Sequence, residues 1–464
     1  MILSIYEHRS ELPVSVDKAF AWHERTGAFE RLAPPWRVPK VLERSGLIAD
    51  GSEVTVAVPL GPFRTRWTVR HFDYEINRRF RDRQVRGPFA KWVHTHGFEA
   101  IDDRRCRITD HIEYAVPLGG VGRVLGGRMI RRMLQRDTAY RHRTIADDLA
   151  LHGRFADRPR LTVAITGASG LIGQGLSALL STGGHRVIRL VRHPPTAADE
   201  SQWDPACGLI DAGAMAPVDA VVHLAGENIA TGRWTQRKMR AIRESRVDAT
   251  RALVASFDRL PRRPRVMITA SAMGYYASDS RKPLDETGGP GTGFLAEVSR
   301  EWEKAAMSAA DAGVRVVPMR IGLVLTPRGG ALQKMLPPAQ MGLGGMLGRG
   351  DRYMSWISHD DTIGGIYHAL MDDRLSGPVN LVGPMPATAN EFIATLGRVL
   401  GRPVLGWMPK TLGRAALGGM AHEVLEASYR IHPGRLLGAD YGFRHANLEA
   451  CLRHVLGRVG PDGG

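Results

Sequence analysis

Leu161–Gly173 reads LTVAITGASGLIG, and this stretch decides the fold of the larger part of the chain. The β-branched residues Val163 and Ile165 alternate up to Thr166, as in a short strand. A turn carrying Gly167, Gly170 and Gly173 follows. Leu176, Leu179 and Leu180 then recur at helical spacing until Gly183-Gly184. Strand, glycine turn and helix in that order form the first half of a βαβ unit. One glycine permits a tight turn, one lets backbone approach a pyrophosphate, and one allows close helix–strand packing. The helix N-terminus offers unpaired N–H groups to phosphates. A dinucleotide is therefore expected against Gly167, Ser169, Gly170, Leu171, Ile172 and Gly173.

The next strand, His185–Val191, ends in Arg192, with no Asp or Glu before Asp199. A carboxylate near this position would hold a ribose 2′-OH, whereas a guanidinium suits a 2′-phosphate. NADP(H) is thus favoured over NAD(H), the alternative being a solvated arginine at a strand end. Ala220–Leu224 (AVVHL), Arg265–Ala270 (RVMITA) and Arg315–Arg320 (RVVPMR) are further strands, the last preceded by a helix around Glu297–Ala312. Small or polar clusters follow them, where open α/β sheets bind ligands. Leu224, Ala225 and Gly226 would let a dinucleotide pass close to the backbone. The expected fold is an α/β Rossmann-type doubly wound parallel sheet.

Residues 1–150 carry a different pattern. A helical stretch, Val16–Phe29, precedes the alternating runs EVTVAV, RTRWTVRH, WVHTHGF and RITDHIEY. Turn signals separate these runs, as in an antiparallel sheet. A long helix is expected from about Val121 to Leu149, with Leu125, Met129, Met133 and Leu134 on its apolar side and arginines opposite. This is an α+β order. The expected division is residues 1–150, a polar linker at 151–160 and a dinucleotide-binding part from 161 onward.

With 464 residues the chain has room for two or three domains. Its net charge of +16 is arginine-rich, but no nucleic-acid-binding motif accompanies it, so no nucleic-acid partner is expected. Cys106, Cys207 and Cys451 lie far apart, which fits neither a disulfide framework nor a zinc cluster. His94 and His96 share one strand face, yet two ligands do not make a metal site, and none is expected. No run of 18 apolar residues predicts a membrane span, and the N-terminus lacks a secretory pattern, so a cytoplasmic location is expected.

WVHTHGF and DHIEYAVPLGGVG, with the element order around them, resemble the START-like superfamily, also called polyketide cyclase/dehydrase-like. The resemblance implies a helix-grip fold enclosing a cavity for an apolar small molecule, into which His94 and His96 could point. ITGASGLIG, WDPACGLID, VVHLAGENIATGRWTQRKMRAIRESRV, SAMGYY, GTGFLAEVSREWE, GGALQKMLPP, SWISHDD and RIHPGRLLGADYGFRHANLEACLR resemble the epimerase-family, atypical short-chain dehydrogenase/reductases. That match runs from about Leu161 to Arg453, and its tail implies a small C-terminal α/β portion at 401–464 after a dinucleotide-binding domain at 161–400.

Extended reductases use a Ser or Thr before the SAMGYY position and a Tyr-x-x-x-Lys pair on a following helix. Ser271 fits the first, but Phe294 and Val298 fall at the pair, and neither moves protons. The resemblance leaves three readings. Tyr275 or Tyr276 could replace the missing acid, with Ser271 and Glu227 orienting substrate and Arg320 holding an anionic group of substrate or cofactor. The chain could instead bind NADP(H) without turnover, as a sensor whose N-terminal domain reads a second, apolar ligand. Or that domain could deliver substrate to the second. Asp361 is either part of a segment closing over substrate or a plain N-cap before Ile363–Leu370. Gly342–Gly350 is expected to be a loop beside the substrate pocket, and Trp203-Asp204-Pro205 a turn over the cofactor edge.

Overall fold

The structure, a computed structural model, describes residues 2–60, 63–278, 282–342, 346–347, 350–403, 407–408 and 427–458. The chain divides into two compact units. The first comprises Met1–Asp157, Ser181–Gly184 and Leu456–Gly464, and the second Arg158–Leu180 and His185–Val455.

In the first unit seven strands form one antiparallel sheet: Ser4–Leu12 (β1), Lys40–Arg44 (β2), Glu53–Leu60 (β3), Phe63–Glu75 (β4), Arg79–Arg86 (β5), Lys91–Asp102 (β6) and Arg105–Ala115 (β7). Their spatial order is β1-β7-β6-β5-β4-β3-β2. β1, β2 and β5 carry too many charged residues for alternation to reveal them. Pairing with β7, β3 and β6 supplies what their composition does not.

The expected helix Val16–Phe29 is two helices, Val16–His23 (α1) and Ala28–Leu32 (α2). Gly27, at φ 93°, breaks the run in a conformation that glycine adopts without strain. The long helix spans Gly119–Arg154 (α3), so it enters the stretch expected as linker. His152 and Phe155 are buried there, and burial outweighs the polar composition. Met129, expected on the core side, is exposed, whereas Leu134 packs with Tyr6, Trp92, Ile112 and Tyr114. A second cluster gathers Leu12, Phe20, Trp22, Phe80, Phe98, Ile108, Ile145 and Leu149. Full burial of such side chains contributes about 1.5–3 kcal/mol each.

The second unit is built on Thr162–Thr166 (β8), Leu171–Thr182 (α4), Arg186–Val191 (β9), Glu200–Asp204 (β10), Leu209–Ile210 (β11), Ala212–Met215 (α5) and Ala220–His223 (β12). Gln236–Arg243 (α6), Ala249–Ser256 (α7), Val266–Ala272 (β13), Phe294–Met307 (α8) and Arg315–Ile321 (β14) follow. The sheet order is β11-β10-β9-β8-β12-β13-β14, closed by Val379–Leu381. All pairings are parallel except β10 with β11. The chain therefore winds outward from β8 in both directions, leaving a switch point between β8 and β12.

Two local expectations are corrected. The N-cap of the helix His359–Met371 is Ser358, whose side chain accepts from the Asp361 N–H, so Asp361 lies inside the helix. Asp361 instead accepts from the Arg444 and His445 backbone N–H groups and from the Tyr441 hydroxyl. The expected helix at Glu297–Ala312 is α8 followed by a 3-10 turn, Ser308–Ala312. Parts of Gly342–Gly350 and of the expected C-terminal domain lie outside the described residues. Among the described residues, no helix is long and apolar enough to cross a membrane.

Candidate functional site: the cleft at the switch point

The glycine turn is held by contacts that leave no room for side chains. Gly167 has φ 69°, and a Cβ there would lie 2.9 Å from the Ala225 nitrogen at the end of β12. A Cβ on Gly173 would lie 2.2 Å from the Gly167 carbonyl oxygen, so α4 is pressed onto the turn. No acidic residue occupies the first turn of α4, and its positive end is left for an anion.

Thr166 joins the two strands of the switch point. Its hydroxyl accepts from the Leu224 and Ala225 N–H groups and lies 2.7 Å from His223 Nδ1. With both lone pairs engaged, the hydroxyl donates to Nδ1, which puts the imidazole proton on Nε2. Burial lowers the His223 pKa to about 4, with the Arg246 charge adding to the effect, so the ring is neutral.

A cleft of about 1100 Å³ opens here. Gly167, Ser169, Gly170, Arg192, Leu224, Ala225, Gly226 and Glu227 line it, together with Trp203 and Pro205. Leu171, Ile172 and Gly173 do not. They secure α4 instead, the Leu171 carbonyl accepting from His359 Nε2 at 3.0 Å. Arg192 is exposed, and its side chain has no hydrogen bond or ion pair among the described residues. Arg189, in the same wall, is already paired with Asp199 at 2.7 and 2.8 Å.

Glu227 is paired with Lys238 of α6, and this hydrogen bond is the main cause lowering its pKa. Lys238 escaped the sequence reading, because only the path of the chain after β12 brings α6 back to Glu227. Arg246 escaped it too. It donates to the Glu227 carbonyl at 3.0 Å from a π-turn, Glu244–Asp248, between α6 and α7. Such turns often mark functional sites.

Ser271 and Arg320 sit elsewhere. Ser271 Oγ donates to Glu303 Oε1 at 2.6 Å, and Arg320 pairs with both oxygens of the same carboxylate. Arg320 also donates to the Tyr276 hydroxyl at 2.7 Å, which donates onward to Asn380 Oδ1 at 2.7 Å. The Arg320 guanidinium lies 3.6 Å from the centre of the Tyr275 ring. Arg320, expected to hold an anionic group, is a buried ion-pair member whose Nε, Nη1 and Nη2 all hydrogen-bond within the protein. Ser271, expected to orient substrate, directs its proton at Glu303. Tyr275 does not line the cleft.

The fold and site define a class: doubly wound proteins with a dinucleotide-type cleft, here joined to a helix-grip domain. Comparison with known proteins gives the family. Residues 163–382 match the NAD dependent epimerase/dehydratase family, 408–455 the domain of unknown function DUF1731, and 12–136 the family polyketide cyclase / dehydrase and lipid transport. An epimerase family protein of Mycobacterium bovis is 41% identical over 298 residues, which is 64% of this chain and 98% of the relative. A crystal structure described as the nucleoside-diphosphate sugar epimerase of Corynebacterium glutamicum is 32% identical, with a TM-score of 0.78, over 97% of this chain and 90% of that one. The human epimerase family protein, solved with NADPH, is 30% identical with a TM-score of 0.58, over 64% of this chain and 99% of that one. The chain belongs to the epimerase family, with a polyketide cyclase-like domain at its N-terminal side.

Proposed function

We propose that the second unit binds NADP(H) in the switch-point cleft and serves as an oxidoreductase or epimerase-like enzyme. The observation that carries this reading is that one cleft gathers the glycine turn, the open end of α4 and Arg192, whose side chain has no partner among the described residues. The human relative solved with NADPH supports it. A 2′-phosphate would accept from the Arg192 guanidinium, and the pyrophosphate would lie on Ser169 and Gly170. The nicotinamide, when bound, supplies hydride exchange.

Proton movement would then fall to Glu227 at the cleft wall, held by Lys238, or to Tyr275 outside that wall. Phe294 and Val298 occupy the helix where the family's reductases carry their tyrosine and lysine. A second reading, binding without turnover, is favoured by the Glu303 network, which consumes Ser271, Tyr276 and Arg320. In either reading the N-terminal domain holds a small molecule. It encloses about 190 Å³ among Val54, Val56, Val69, Trp67 and Trp92.

Calorimetric titration with NADPH and NADH, beside a Gly170→Asp variant, tests the binding. Tight NADPH, weak NADH and loss in the variant are expected, and absence of binding to either nucleotide refutes the proposal. Once a substrate is found, unchanged turnover in both Glu227→Gln and Tyr275→Phe removes these residues from the chemistry.

A further inference from the structure

Carboxylates and imidazoles gather at one place on the inward face of the N-terminal sheet, where His71 of β4 also stands opposite Asp82. Asp82 of β5 stands directly opposite His94 of β6, and Asp110 of β7 directly opposite His96. Adjacent strands lie about 4.8 Å apart, so this register holds the four side chains together on a rigid surface. Asp82, His94 and Asp110 are buried, and His96 is 15% exposed at its side chain.

We infer that Asp82, His94 and His96 form a site for one divalent transition-metal ion of the zinc class, with Asp110 orienting both imidazoles. His94 Nε2 and His96 Nδ1 each lie 3.0 Å from Asp110 Oδ1. A carboxylate between two imidazoles accepts an N–H from each, which fixes both tautomers. The opposite nitrogens, His94 Nδ1 and His96 Nε2, then turn their lone pairs toward Asp82 Oδ2, each at 3.5 Å. The three donor atoms lie within 4.8 Å of one another. Tetrahedral zinc, with Zn–N and Zn–O bonds of about 2.0–2.2 Å, sets its ligand atoms about 3.4 Å apart.

Three converging lone pairs repel unless a cation sits among them. A divalent ion among them accepts all three lone pairs at once. Asp110 is further anchored by His142 of α3, whose Nε2 lies 3.2 Å from Oδ2 while its Nδ1 meets Ser10 at 2.8 Å. Such carboxylate backing of histidine ligands is the usual outer arrangement of metal sites.

Three protein ligands leave a coordination position open, as in catalytic rather than structural zinc sites. Asp82, His94 and His96 all line the N-terminal cavity, so that position faces the bound molecule. Arg141 lines the same cavity, and its buried Nε has no hydrogen-bond partner among the described residues. The ligand class is therefore a small, mainly apolar carbonyl or carboxylate compound, one oxygen on the metal and an acceptor toward Arg141. At about 190 Å³ the cavity is smaller than drug-sized pockets of about 300–1,000 Å³.

The test uses the full chain, stripped with chelator and titrated with Co(II) while its ligand-field absorption is recorded. One Co(II) per chain, displaced by Zn(II), is expected. Asp82→Asn and His96→Gln should each weaken binding at least tenfold, and Asp110→Asn about 10–100-fold. Absence of binding overturns the proposal. So does equal binding by the Asp82 and His96 variants, which would assign the ion elsewhere, for instance to Asp360, His445 and His454. Should the variants fail to fold, X-ray absorption of the Zn(II)-loaded wild-type chain decides. Two imidazoles with oxygen donors support the site, and any other shell refutes it.

Discussion

Both carboxylate oxygens of Glu303 lie 2.8 Å from the Arg320 guanidinium, Oε1 from Nε and Oε2 from Nη2. The pair is buried between α8 and β14, with the Ser271 and Tyr276 hydroxyls completing its hydrogen bonds. Removing one partner leaves a buried charge uncompensated. Arg320→Met or Glu303→Leu alone should therefore cost about 3–5 kcal/mol in denaturant unfolding. The double variant should recover much of that loss, because two apolar side chains leave no charge behind.

Arg192 differs from Arg320 in having no side-chain partner among the described residues, and its substitution should affect ligand rather than fold. A charge-assisted hydrogen bond contributes about 1.5–3 kcal/mol. Arg192→Ala should weaken NADPH binding roughly 10–100-fold. NADH affinity and unfolding midpoint should stay unchanged. Equal loss for both nucleotides would place the 2′-phosphate elsewhere.

Gly173 faces the protein, with its would-be Cβ 2.2 Å from the Gly167 carbonyl oxygen. Neither α4 nor the turn can yield without disturbing the other. Gly173→Ala should cost roughly 1–3 kcal/mol of stability, as other overpacked sites do. NADPH affinity should fall as well, since the turn that meets the phosphates must shift.

His223 gives the second unit a defined response to acid. Its folded pKa of about 4 lies below the ordinary 6.5, so between these values the unfolded chain binds more protons. Stability is present above pH 6.5 and is lost as pH falls toward 4. The largest loss from this group is roughly 3 kcal/mol. Urea unfolding across that window should show the slope, and His223→Asn, which keeps an acceptor for Thr166, should flatten it.

The sequence by itself determined the local chemistry of the second unit. Val163, Ile165 and the three glycines specify strand, turn and helix through short-range sterics, and Arg192 follows at a fixed distance along the same βαβ unit. It also determined the antiparallel character of the first unit where alternation was clean, in β3, β4, β6 and β7. What lacked a local signal was missed. The charged β1, β2 and β5 are strands because neighbours supply their hydrogen bonds, and Gly27 divides a helix whose periodicity runs through it.

Tertiary structure alone decided which polar groups remain available. Ser271 and Arg320 carry the right chemistry for a site, but Glu303, on a helix between their strands, takes both. His94 and His96 are two residues of one strand until register adds Asp82 from one neighbour and Asp110 from the other. Hydrogen-bond partners and ligand sets depend on which strands lie side by side, and that is settled by burial of the whole sheet.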